Sequence, residues 1–348
     1  MKALCIADFD PAQLAILREH MDVTAGGWGV TGELMDEVEL RANLVDADIL
    51  IVGYEPVSAA TIAASPKLSL IASTRGGPDA NIDVAEATRR GIPVTYTIGR
   101  EAIPVADFTF GLIIGLLRHI YEASTLLQSR VLTGPDEPTA GKDVRWGMSR
   151  SDPWLRFQGH ELAGKTLGIV GVGSVGREVA KRAAGFDMTV LGYDPNVRAE
   201  SVAGLVEMTD LETLVTASDI VSLHARVGAD NRGMIGASQL ALMKPTAYLI
   251  NTARAALVQE EALYDALTKG VIAGAALDIF HREPLPQSSP LLGHPNVLVT
   301  PHIAGSSFES IPRHSASIVD SILTWKRGER PGLVFNPDVY AQVSGGGK

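Results

Sequence analysis

Short apolar runs alternate with longer half-polar stretches along most of the chain, a pattern that predicts strands separated by helices. Over residues 1–100 the runs at 3–7, 49–52, 69–73 and 93–97 read as strands. Residues 11–19, a stretch around 31–43 and residues 84–90 read as helices, the last closed by Gly91. A long apolar helix is expected over 104–127, with Pro104 suited to its start and Phe108, Leu112, Leu116 and Ile120 at helical spacing. Periodicity is then lost over 133–160, a stretch holding Gly134, Pro135, Trp146, Pro153 and Trp154. So long a loop is a functional element or an oligomer contact. Its tryptophans suit a dimer arm, and packing on its own subunit remains open. From Lys165 six further strands are expected, at 166–170, 188–192, 220–224, 247–251, 273–278 and 296–300. A helix over 307–326 follows, and the ending Ser-Gly-Gly-Gly-Lys reads as frayed. The fold class is α/β with parallel sheets, in two doubly wound parts.

The turn after the strand at 166–170 carries Gly171, Gly173 and Gly176, with Ser174 and Val175 opening a helix. One glycine makes the tight turn, one admits a pyrophosphate close to the backbone, and one lets helix and strand pack closely. The helix amides then point at the phosphates. Glycine turns of this kind are common, so the next strand carries weight: it ends on Asp194. A carboxylate there accepts hydrogen bonds from an adenine-ribose diol and repels a 2′-phosphate, which predicts NAD rather than NADP, with Arg198 nearby as a counter-indication. The first hundred residues lack such a glycine pattern and so take a different task.

Composition narrows the class. At 348 residues, 46% hydrophobic and 20% charged, the chain supports two folded domains. A formal net charge of −10 argues against nucleic-acid partners and anionic membrane surfaces. Cys5 is the one cysteine, which excludes internal disulfides and thiolate zinc sites, and its apolar surroundings predict a buried structural thiol. The start of the chain lacks a signal-peptide layout, and the apolar run at 108–117 is shorter than the ~20 residues of a membrane span. A cytoplasmic protein is expected.

Ligands of open α/β sheets bind beyond the carboxyl ends of the strands. Three such ends bring chemistry to one edge: Asn251-Thr252-Ala253-Arg254, Asp278 running on to Glu283, and Thr300-Pro301-His302-Ile303-Ala304-Gly305. His281, Glu283, His294 and His302 lie on separate elements without a helical pair spacing, so no metal site is expected.

In these segments, together with the GVGSVG turn and Asp194, the chain resembles the D-isomer-specific 2-hydroxyacid dehydrogenases, which include phosphoglycerate dehydrogenases and glyoxylate/hydroxypyruvate reductases. The resemblance rests on INTARAALVQEEAL (250–263), ALDIFHREPLP (276–286) and NVLVTPHIAG (296–305) and covers nearly the whole chain. It implies a discontinuous, flavodoxin-like substrate domain, 1–103 with 306–348, and a central Rossmann-like NAD domain, 104–305, through which a homodimer forms. It also implies catalytic roles for Arg254, Glu283 and His302. Reducing a 2-keto acid leaves an alkoxide at C2, which an imidazolium at His302 protonates. Glu283 would orient the ring and favour its charged form, and Arg254 would hold the carboxylate and carbonyl oxygens. The resemblance further places His224, Thr252, Asp278 and Gly305 at the cofactor, Asp278 near the nicotinamide amide. The amides of Arg75, Gly76 and Gly77 would meet the substrate carboxylate.

Departures from the family pattern fall around the substrate. Gly76-Gly77-Pro78 and Ala80 alter the usual glycine loop, and Tyr96, Ile98 and Glu101 replace asparagine, proline and asparagine. Glu101 would repel a second carboxylate or phosphate if it points inward, or bind a hydroxyl. Arg75, Arg100 and Arg145 offset that charge and keep a phosphorylated substrate open. Arg226 replaces a proline after His224, and Ala255 a glycine after Arg254. A different class stays in view, an NAD(H)-sensing, corepressor-like protein on the same fold. A formate dehydrogenase pairs glutamine with its histidine, and Glu283 argues against it.

Overall fold

The computed structural model describes residues 1–133 and 153–343 and divides into two compact units. One comprises residues 1–100 with 307–348, the other residues 101–306.

The first unit is built on a parallel sheet of β1 (Lys2–Cys5), β2 (Asp22–Ala25), β3 (Ile49–Val52), β4 (Leu70–Ser73) and β5 (Val94–Tyr96), in the order β2-β1-β3-β4-β5. Strands β3 and β4 are buried on both faces, which explains their uninterrupted apolar sequences. Asp10 caps the helix Pro11–His20 by accepting the Gln13 N–H, with Pro11 in the first turn, where its missing donor costs nothing. The helix Ser310–Lys326 joins this unit through Ile318, Val319 and Ile322, which pack with Ala3, Cys5, Leu17 and Ile49. Asn336 fastens the later chain to β5: its Oδ1 accepts the Val94 N–H at 2.8 Å and its Nδ2 donates to the Ile92 carbonyl. Burial pushes the Cys5 thiol up to about 12, so it stays an inert thiol in the core.

The second unit holds seven parallel strands: β6 (Thr166–Val170), β7 (Thr189–Tyr193), β8 (Glu207–Met208), β9 (Ile220–Leu223), β10 (Tyr248–Asn251), β11 (Gly274–Leu277) and β12 (Val297–Val299). Their order is β12-β11-β10-β9-β6-β7-β8. The direction of winding reverses between β6 and β9, and ligands of such sheets bind at that reversal. The helix Ala102–Leu117 buries Phe110, Leu112, Ile113 and Leu117 against this sheet, together with Val179 and Ala180 of the helix Ser174–Ala184.

Three expectations are corrected. The apolar helix is not continuous over 104–127. It runs Ala102–Leu117, breaks at Arg118 and His119 with a bend of 70°, and resumes as Ile120–Gln128. The His160 N–H satisfies the Leu117 carbonyl, and the Tyr121 ring folds back onto Gly115, where a Cβ would come within 2.2 Å of it. The helix starts at Ala102, so Pro104 sits inside its first turn, where it breaks no intrahelical bond. Strands β2 and β8 also join the sheets, so the second has seven strands rather than six. Most of the expected 133–160 loop, with Arg145 and Trp146, and the Ser-Gly-Gly-Gly-Lys ending lie outside the described residues. Among the described residues no single helix is long and apolar enough to cross a membrane.

Candidate active site

At the winding reversal the backbone forms the turn that a dinucleotide phosphate requires. Gly171 has a φ of 95°, and a Cβ on it would meet the Ala225 backbone at 2.4 Å. A Cβ on Gly176 would strike the Gly171 carbonyl oxygen at 2.2 Å, so only glycine lets the helix Ser174–Ala184 pack this close. Gly173 faces open space, with nothing within 4 Å of its would-be Cβ, ahead of the amides of Ser174 and Val175. That is a cradle with free donors and room for an anion. Asp194 is anchored beside it: Oδ2 accepts the Val172 N–H at 3.0 Å and Oδ1 accepts the Asn196 N–H at 2.9 Å. Each oxygen keeps a lone pair for a ribose hydroxyl. These residues fit a dinucleotide.

His224 follows β9 at the same edge. Its Nε2 lies 2.8 Å from Ser222 Oγ, and its Nδ1 is buried without a protein partner. Though the residue keeps some exposed surface, its ring nitrogens are shut away, and burial pushes its pKa down to about 3. The unfolded chain takes up a proton near pH 6.5 that the folded protein refuses down to about pH 3. Stability from this group is therefore complete above pH 6.5 and falls as the pH drops through that window, by at most about 1.4 kcal/mol per pH unit. Denaturant unfolding at pH 5 is expected to give a free energy about 1–2 kcal/mol below that at pH 7 from this group. A His224→Gln variant, which cannot titrate, should show a shallower loss.

The candidate reactive groups lie on the loops after β10, β11 and β12. Asn251 shapes the first loop: its Oδ1 accepts the Ala253 N–H and its Nδ2 donates to the Arg254 carbonyl. Arg254 is thereby presented exposed, with Nη1 donating to the Ala253 carbonyl. Thr252 is buried, its hydroxyl 3.1 Å from that of Thr109, so its side chain ties this loop to the helix Ala102–Leu117. On the second loop Glu283 Oε1 accepts the Phe280 N–H at 2.9 Å, and Oε2 lies 2.7 Å from His302 Nδ1. Partial burial pushes the Glu283 carboxyl up, but the hydrogen bonds from His302 and the Phe280 amide, with the charges of His302 and Arg254, outweigh it. The net pKa lies below the usual carboxylate range, so Glu283 is ionised at neutral pH.

His302 has a φ of 58°, a left-handed conformation uncommon for non-glycine residues, although histidine, asparagine and aspartate adopt it more readily than most, at a cost of order 1–2 kcal/mol. Asp278 holds it there. Asp278, expected near the nicotinamide amide, is 0% exposed, and both its oxygens serve the histidine loop. Oδ1 accepts from Thr300 Oγ1 at 2.6 Å and from the Ile303 N–H at 3.0 Å, and Oδ2 accepts from the Ala304 N–H at 2.8 Å. The sequence signal for this role was an aspartate ending an otherwise apolar strand. Glu101 lies against Gly305 of the same loop, its carboxyl carbon 3.1 Å from where a Cβ would stand. The missing Cβ makes room for it.

In the first unit the loop after β4 carries Arg75, Gly76 and Gly77. The Arg75 N–H is already engaged by Ser73 Oγ at 3.2 Å, so it is not among the amides open to a substrate. Those of Gly76 and Gly77 bond no acceptor among the described residues. Among the described residues no group of three or more histidine, cysteine or acidic side chains is placed to hold a metal ion.

A doubly wound sheet with this phosphate cradle, and a hydrogen-bonded histidine–carboxylate pair on the same edge, defines a dinucleotide-dependent oxidoreductase. The family model "D-isomer specific 2-hydroxyacid dehydrogenase, NAD binding domain" matches residues 110–304. A glyoxylate reductase of Thermofilum pendens is 39% identical over 332 residues, which are 94% of this chain and 91% of that protein. The solved structure of a glyoxylate reductase from Paecilomyes thermophila matches with a TM-score of 0.75 at 27% identity, over 97% of this chain and 99% of the other. An acyclic imino acid reductase in complex with NADPH and D-Arg matches with a TM-score of 0.75 at 26% identity, over 96% and 100%. The chain belongs to the D-isomer-specific 2-hydroxyacid dehydrogenase family. It is an oxidoreductase of 2-hydroxy acids whose cofactor is a nicotinamide dinucleotide.

Proposed function

We propose that the enzyme interconverts a D-2-hydroxy acid and its 2-keto acid with NAD, through His302, Glu283 and Arg254. The observation that carries this reading is the 2.7 Å contact between His302 Nδ1 and Glu283 Oε2. When bound, a nicotinamide dinucleotide would supply or accept the hydride at C2. Glu283 fixes the ring through Nδ1 and leaves Nε2 as the atom that gives a proton to the nascent alkoxide or takes one from the hydroxyl. Arg254, cationic at every working pH, holds the carboxylate and polarises the carbonyl. The amides of Gly76 and Gly77, on the first unit, are the proposed donors to a substrate carboxylate. Gly171, Gly173, Ser174, Val175 and Gly176 carry the pyrophosphate and Asp194 the ribose, with His224, Thr252 and Gly305 shaping the walls. The working form is a cytoplasmic homodimer joined through the 101–306 unit. Its exposed Ile120, Tyr121, Leu127 and Trp154, the last 72% exposed, supply an apolar surface for the contact.

Asp194 provides the test of cofactor choice. A hydrogen bond to a charged group is worth about 1.5–3 kcal/mol, and a 2′-phosphate would instead meet a carboxylate fixed by two amides. Oxidation of NADH with a 2-keto acid is expected to exceed that of NADPH in kcat/KM by about 100-fold. Asp194→Asn should cut that ratio by about tenfold or more. Equal use of the two cofactors by the wild type would refute the assignment.

A further inference from the structure

The second sheet also has an amino-terminal edge, opposite the one that carries the phosphate cradle and the His302–Glu283 pair. A cavity of about 200 Å³ lies there, lined by Leu117, His160, Lys165, Asp219, Thr246 and Tyr248. Lys165 precedes β6, Asp219 precedes β9, and Tyr248 begins β10. Leu117 ends the helix Ala102–Leu117, and the bond from the His160 N–H to its carbonyl brings the histidine alongside. At ~30 Å³ for each water-sized volume, the space admits a ligand of about six non-hydrogen atoms.

Asp219 organises this edge. Its Oδ1 accepts from Lys244 Nζ at 2.8 Å, its Oδ2 from the Thr166 N–H at 2.9 Å, and its carbonyl from the Tyr248 N–H at 3.0 Å. Partial burial pushes the carboxyl up, but the bonds from Lys244 and the Thr166 amide, with the charges of Lys244 and Lys165, outweigh it. Asp219 is therefore ionised at neutral pH, and the ion pair with Lys244 balances its charge. The Lys165 ammonium forms no ion pair among the described residues, so it leaves the cavity one positive charge in excess. The Lys165 ammonium, the Tyr248 hydroxyl and the His160 ring have no hydrogen-bond partner among the described residues. Burial pushes the Tyr248 phenol up, which keeps its proton in place as a donor. The His160 and Tyr248 rings meet edge to face, with centroids 6.5 Å apart and planes at 65°. Together with the buried Leu117 they form an apolar wall. Uncommitted donors around a single excess positive charge suit an anion of one charge, and the wall suits a short hydrocarbon tail. A phosphate dianion would find one charge too few and no use for the wall.

We propose that this cavity binds a short-chain monocarboxylate, its oxygens on Lys165 Nζ and the Tyr248 hydroxyl and its carbon chain against Leu117 and the two rings. The site belongs to the second unit alone and does not depend on the dehydrogenase reading.

Propionate tests this on the NADH-saturated protein, because it carries the carboxylate and a tail but no keto or hydroxyl group that could react. Binding is followed by NMR through the Cε1–H signal of the His160 ring, assigned by its loss in His160→Gln. A saturating shift with a dissociation constant in the millimolar range is expected for so small a ligand. Lys165→Gln should raise that constant by about tenfold or more, and Tyr248→Phe by about threefold or more. Arg254→Gln, which alters the opposite edge, should leave it unchanged. Inorganic phosphate, titrated in the same way, should bind more weakly than propionate. Thermal unfolding reports whether each variant is folded, and if Lys165→Gln is not, Tyr248→Phe decides. No saturation below about 0.1 M, or a constant unchanged in the folded cavity variants, overturns the site. So does a constant that rises in Arg254→Gln as it does in Lys165→Gln. Tighter binding of phosphate overturns the choice of a monocarboxylate.

Discussion

Replacing His302 with asparagine is expected to lower kcat for 2-keto acid reduction by about 10²–10⁴-fold, the range that a positioned acid or base supplies. Asparagine suits this test because it tolerates the left-handed backbone at position 302, where φ is 58°. The Asp278 bonds to the Ile303 and Ala304 amides hold the loop whatever side chain 302 carries. The variant should therefore fold and bind NADH as the wild type does, and lose only the proton transfer. Steady-state kinetics with NADH binding measured by fluorescence separates the two effects. A loss of less than about tenfold in kcat would remove His302 from the reaction.

Arg254→Gln is expected to lower kcat/KM by about 10²–10³-fold, the range for removing one preorganised donor from developing negative charge. The loss should appear in both KM and kcat, because in the proposed role the same guanidinium holds the carboxylate and polarises the carbonyl. Arg254→Lys should recover only a minor part, since an ammonium is a point charge without the planar fork. Arg254 is exposed and the Asn251 side chain shapes its loop, so either substitution should leave stability within about 0.5 kcal/mol. Matching unfolding curves with the large kinetic difference would establish that division of roles.

Much of the second unit was legible in the sequence because its central strands are short, buried runs punctuated by glycine and polar residues. The run Thr166–Val170 is bounded in the structure as the pattern predicts. What escaped did so for physical reasons. Strand β2, Asp-Val-Thr-Ala, buries only Val23 and shows no apolar run, and β8 is two residues long. The break at Arg118 and His119 has no proline or glycine to announce it. It depends on the His160 amide, remote in sequence, and on the Tyr121 ring lying against Gly115. Long-range causes of that kind leave no local trace.

The site divides in the same way. Residue types at strand ends, with the family resemblance, brought His302, Glu283 and Arg254 forward, and the structure adds the His302–Glu283 contact. The role of Asp278 was hidden, because a buried aspartate's partners are backbone amides that no side-chain pattern encodes. The placement of Glu101 against Gly305 and of Arg75 on Tyr54 likewise depends on side-chain directions.

In the proposed mechanism one group, His302, gives the proton in reduction and takes it in oxidation, and kcat/KM against pH in both directions, on the wild type and on His302→Asn, tests this most directly. Opposite limbs are expected: reduction falls as the pH rises, because the ring must carry a proton, and oxidation falls as the pH drops, because it must be neutral. Both limbs should disappear in the variant. Limbs that fall on the same side, or that persist in His302→Asn, would contradict it.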